Sequence, residues 1–97
     1  MIKVTCEPQN CRITVEGHSG SAEKGMDLIC AGATMLTMTL ADLVEDRCEK
    51  RSIEIRDGYA RIEGDKNAEK EFDFVRRGLR LLAGDYPENV IVADKYV

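Results

Sequence analysis

A histidine at position 18, within Gly17-His18-Ser19-Gly20, and a cysteine at position 30, near the head of the apolar run Asp27-Leu28-Ile29-Cys30-Ala31-Gly32-Ala33-Thr34-Met35-Leu36, are the residues of this chain best suited to chemistry. A thiol in the first turn of a helix can be held as thiolate, because free backbone N–H groups and the helix dipole favour negative charge there. An imidazole beside it completes a cysteine nucleophile with its base. The helix end alone favours an exposed anion by only about 0.3–1 kcal/mol, so a cation must stand alongside. His18 is the sole histidine; as imidazolium it can hold the ion pair and later protonate the leaving amine. Asp27 has two readings that the sequence leaves open: an N-cap accepting from Ile29 or Cys30 N–H, or a carboxylate that faces the imidazole and orients it. Gly17, Ser19, Gly20, Ala31 and Thr34 flank the pair and are the candidate substrate-binding residues, with the Cys30 backbone N–H as a donor to the oxyanion.

The elements that must position these residues follow from periodicity. Ile2, Val4 and Cys6 alternate with Lys3 and Thr5, and Cys11, Ile13 and Val15 alternate with Arg12, Thr14 and Glu16, which predicts a hairpin about Pro8-Gln9-Asn10. Gly17 to Met26 carries no apolar period and reads as a loop, with Gly17, Gly20 and Gly25 as hinges that a docking peptide could order. Leu28 to Cys48 is apolar or small nearly all round as far as Val44, which predicts a central helix capped by Asp27 and buried on most sides. Ser52 to Arg56 and Tyr59 to Glu63 flank Asp57-Gly58, a two-residue turn whose register sets Ile53 opposite Ile62, Ile55 opposite Ala60 and Glu54 opposite Arg61. Ala68, Phe72, Val75, Leu79 and Leu82 predict an amphipathic helix over about 67–83, closed by Gly84, and Val90-Ile91-Val92-Ala93 a strand covered on both faces. The expected class is α+β, a mostly antiparallel sheet of about five strands with two helices on one face in the order ββαββαβ. That arrangement brings the two ends of the loop, and so His18 and Cys30, within reach of each other.

Ninety-seven residues suit one domain, 1–97, so an active site must share its core or lie at a subunit interface. The net charge of −4 argues against direct nucleic-acid binding and makes a basic polypeptide the easier partner. No N-terminal secretion signal is legible, and the longest apolar region is interrupted by threonines and ends at Asp42. A cytoplasmic protein without a membrane segment is expected, its cysteines at 6, 11, 30 and 48 reduced. A zinc site from Cys6, Cys11 and His18 lacks paired close spacing, no Lys-Ser/Thr pair follows the glycines to make a phosphate loop, and neither a metal nor a cofactor is expected. Cys30 and Cys48 would lie about 27 Å apart along one helix, too far to pair.

Gly-His-Ser-Gly, a loop of about ten residues, then Asp-Leu-Ile-Cys-Ala-Gly-Ala-Thr in a chain of this length and element order resemble the ribosomal-processing cysteine proteases, the Prp family. The resemblance runs over essentially the whole chain, with its specific part in residues 17 to 36. It implies a small cytoplasmic endopeptidase, usually a homodimer, that removes a short N-terminal extension from the precursor of large-subunit ribosomal protein number twenty-seven. It also implies His18 at the family's histidine position, Cys30 as its nucleophile and Asp27 as the acidic residue three places earlier. Two departures leave the dyad untouched: Thr34 stands where members commonly have serine, and Gly32 where they have alanine. The rival reading from another class is a non-catalytic ribosome-assembly module that binds a peptide in the same groove.

Overall fold

The structure, a computed structural model, describes residues 1–17 and 24–96, and of 24–27 the backbone alone. Strands β1 (Ile2–Glu7) and β2 (Arg12–Glu16) precede helix α1 (Lys24–Arg47); β3 (Ser52–Arg56) and β4 (Tyr59–Glu63) precede α2 (Glu69–Asp85); β5 (Val90–Asp94) follows. The order is the expected ββαββαβ and the class α+β. Across the sheet the strands run β3-β4-β2-β1-β5, with three antiparallel pairings and one parallel, β1 with β5. The sheet is therefore mixed: α2 carries the chain back along the sheet, so β5 enters beside β1 in the same direction, as a helical crossover requires.

Alternation decides the faces. Ile2, Val4, Cys6, Ile13, Ile62 and Val90 all point to one side of the sheet and are buried there with Ile29, Leu40 and Val44 of α1 and Phe72, Val75 and Leu79 of α2. The opposite face is polar and carries ion pairs from Arg12 to Glu7 at 3.2 Å and to Glu63 at 2.6 Å. The register predicted from Asp57-Gly58 holds at every position, Ile53 opposite Ile62, Glu54 opposite Arg61 and Ile55 opposite Ala60.

Four local expectations need correction. Helix α1 begins at Lys24 rather than Leu28, so the loop is shorter and Asp27 sits inside the helix instead of capping it. Lys24 and Met26 are good helix formers and Gly25 costs only about 1 kcal/mol in a helix, which core packing further along α1 readily offsets. Nor is α1 buried on most sides. Leu28 is 76% exposed and Met35 64%, because a helix lying on one face of a sheet and beside one other helix keeps its outer stripe in solvent. Strand β5 is an edge strand with Ile91 and Ala93 exposed, rather than covered on both faces. Helix α2 runs through Gly84 to Asp85 and ends without a left-handed glycine, its Tyr86 N–H bonding the Leu82 carbonyl. The 20-residue stretch Leu28–Arg47 is long and apolar enough by composition to cross a bilayer, but its inner stripe is spent on the core here.

Helix α2 is tied to the sheet edge through Asp94, which accepts from Arg76 Nε at 2.9 Å and from Arg80 at 2.6 Å. The Arg76 hydrogen bond holds the Asp94 carboxyl below its ordinary 3.8, against a smaller opposing effect of burial. A depressed carboxylate pKa contributes stability above the unfolded value and loses it as pH falls through the folded value. Asp94→Asn is therefore expected to lower the unfolding free energy by about 1–3 kcal/mol near neutral pH, with the gap to wild type closing as pH drops below 3.8 in urea titrations. Leu40→Ala, at a fully buried position, is expected to lose about 2–5 kcal/mol in the same assay.

Candidate active site

Cys30, Ala33, Thr34, Thr37 and Met38 recur at helical spacing on one flank of α1 and face the end of the sheet where β2 stops and the β3–β4 turn begins. Between them is a cavity of about 380 Å³, walled opposite by Ile2, Val15, Gly17 and residues 55–60. Cys30 is half-buried at its edge. The Thr37 hydroxyl is buried but donates to the Ala33 carbonyl at 2.7 Å, so the helical wall presents no unmet polar atom there.

Gly17 closes one side. Its φ is +95°, its N–H donates to the Gly58 carbonyl at 2.8 Å, and a Cβ in its place would collide with the carbonyl oxygen of Met1. Gly58, at φ +69°, supplies the positive φ of the hairpin turn. The end of β2 is thereby fastened to the hairpin tip. That tip is itself stiffened by Arg56, whose guanidinium lies 4.0 Å over the Tyr59 ring and pairs with Glu54 at 3.3 Å.

His18, Ser19 and Gly20 lie outside the described residues, as do the hinge at Gly20 and the Asp27 side chain. Gly17 and Thr34 line the cavity with Cys30, whereas Ala31 is exposed on another face of α1 and does not. Cys30 is the seventh residue of its helix, not part of the first turn, because α1 starts at Lys24. The helix end is then roughly 9 Å away at 1.5 Å per residue, and its field fades within the first turn.

The remaining thiols sit in settings that keep them protonated. Burial, reinforced by Asp94, pushes Cys6 up to about 11, and burial likewise raises Cys11 and Cys48. Among the described residues no three His, Cys, Asp or Glu side chains gather as a metal site. The wall formed by Ile55, Arg56, Asp57 and Tyr59 was not foreseen from sequence. Asp57-Gly58 was legible as a turn, but the pairing of β2 with β4 that brings it to Gly17 joins residues more than forty positions apart, beyond any local signal.

The fold matches solved structures along its length. Two are of the ribosomal processing protease Prp from S. aureus, one with a substrate peptide at TM-score 0.84 and one with a covalently linked product peptide at 0.83. Each is 21% identical, covering 98% of this chain and 100% of the other. SMU.848 from Streptococcus mutans matches at TM-score 0.77 and 24% identity, over 99% of this chain and 93% of its own. No curated protein sequence matches significantly. Residues 1–91 match the family described as Cysteine protease Prp. With a half-buried thiol opening on a cavity beside Gly17, and a family match over nearly the full length, this chain belongs to the cysteine protease Prp family and is a cysteine-type peptidase.

Proposed function

We propose that the protein is a cytoplasmic ribosomal-processing endopeptidase that removes a short N-terminal extension from large-subunit ribosomal protein number twenty-seven, with Cys30 as nucleophile and His18 as its acid–base partner. The observation that carries this reading is that Cys30 and Gly17, the residue before the sole imidazole, line one cavity. The Cys30 sulfur attacks the scissile carbonyl, and the carbonyl oxygen takes the negative charge against backbone N–H donors. His18 gives its proton to the departing amine as the C–N bond breaks; it then draws a proton from water, whose oxygen displaces the sulfur and frees the product carboxylate. That the S. aureus protease was solved with a substrate and with a covalently linked product peptide supports a peptide substrate.

The resemblance further implies a homodimer, and the helical layer offers a surface for it. Helices α1 and α2 pack closely, Leu36 lying 3.1 Å from where a Cβ at Gly78 would stand. Their solvent side exposes Leu28 and Met35 from α1 with Phe74 (72%) and Leu81 (73%) from α2, large apolar side chains that a partner chain could cover.

Incubating the full-length ribosomal precursor with the protein is expected to yield a new N-terminus by mass spectrometry, with Cys30→Ala slower by at least about 10³-fold and His18→Ala by about 10²–10⁴-fold. Trimming by Cys30→Ala at the normal rate would refute the assignment. Iodoacetamide at about pH 6.5 should label Cys30 ahead of Cys6, Cys11 and Cys48 and lose that preference in His18→Ala, whereas uniform slow labelling would mark a binding module. In analytical ultracentrifugation the protein should sediment as two chains and Phe74→Glu as one.

A further inference from the structure

Strand β3 is one open edge of the sheet: among the described residues only β4 pairs with it. The two-residue turn settles which of its backbone groups are unused. Arg56 and Tyr59 flank Asp57-Gly58 directly and form the hydrogen-bonded pair that closes the hairpin. Antiparallel pairs alternate, so Glu54 with Arg61 is bonded, while Ile55 with Ala60 and Ile53 with Ile62 are not. The far side of β4 agrees, since there Gly58 accepts from Gly17 toward β2. The N–H and C=O groups of Ile53 and Ile55 therefore point outward from the sheet edge.

That edge runs into the candidate active site. Ile55 lies on the inner face of the sheet, is 46% exposed, and lines the same cavity as Cys30. By contrast no residue of β5, the opposite edge, reaches the cavity. The hairpin is also held rigid by the Gly17–Gly58 bond and by Arg56 over Tyr59, so ordering it costs an incoming ligand little. Donors and acceptors repeated every second residue match another extended backbone, which adds to a sheet edge through main-chain bonds and sends alternate side chains to each face.

We propose that the substrate polypeptide docks on β3 as a sixth strand, pairing its backbone with Ile53 and Ile55 and laying its inward side chains against Ile55 and the cavity that Cys30 lines. This rests on the peptidase reading above and assigns how that reaction holds its substrate: the pairing reads backbone, and the cavity reads the alternate side chains. The carboxylate and guanidinium of Glu54 and Arg56 lie on the outer face, where they discourage edge-to-edge pairing of two enzyme molecules without blocking the inner approach.

The test uses a synthetic peptide spanning the cleavage site of the ribosomal precursor. Amide exchange by NMR on the Cys30→Ala protein is expected to slow about tenfold or more at Ile53 and Ile55 when the peptide is bound, with Glu54, already bonded across the hairpin, unchanged. With the wild-type enzyme, peptides N-methylated at single positions should lose kcat/KM roughly three- to tenfold at alternate residues only. If the wild-type enzyme cleaves the peptide while Ile53 and Ile55 exchange is unaltered and N-methylation shows no period of two, the edge is not the dock and the peptidase reading stands. If no peptide is cleaved, both fall.

Discussion

The register of β2 against β4 is the constraint on which the candidate site depends. It places Val15 opposite Ala60 and Glu16 opposite Tyr59, so that Gly17 arrives beside Gly58 and donates to its carbonyl. A slip of one residue would turn Val15 and Ile13 to solvent and carry Gly17 away from the hairpin tip. Only glycine tolerates the φ of +95° and the contact with Met1 there. The chain thus leaves the sheet at one defined point, next to the wall of the cavity, and α1 returns over that wall with Cys30 on its facing flank.

Packing then sets what α1 can offer. Its stripe of Ile29, Ala33, Leu40 and Val44 is consumed by the sheet, and Gly32 and Leu36 by α2. Cys30 falls at the boundary between the buried stripe and solvent, half-buried and open to the cavity. Cys6, Cys11 and Cys48 lie fully within the core, and burial disfavours their ionised forms. The same chain holds one accessible thiol and three inaccessible ones by placement alone.

The docking proposed for the substrate rests on two features at one place, the open edge of β3 and the cavity beside it. The cavity is bounded by Cys30, Ala33, Thr34, Thr37 and Met38 from α1 and by the hairpin from the sheet, with Arg56 and Asp57 as the charged side chains of its hairpin wall. An extended strand laid beside β3 presents every second side chain to that space. A net charge of −4 adds a favourable long-range field for a basic polypeptide.

Local pattern determined most of the architecture. The Asp57-Gly58 turn defined the β3–β4 register to the residue, the apolar steps from Ala68 to Leu82 defined the inner face of α2, and Gly17-His18 with Cys30 marked a candidate dyad, because each of these signals lies within one continuous stretch of about fifteen residues or fewer. The start of α1 was misread for a related reason: Asp27 is a good N-cap in isolation, yet helix formers before it and core packing after it extend the helix to Lys24. Only the tertiary structure decided the parallel entry of β5, the exposed outer stripe of α1, and the meeting of Gly17 with the hairpin that walls the cavity. Those features arise from pairings between distant segments competing for one apolar sheet face, and such competition leaves no trace in the spacing of neighbouring residues.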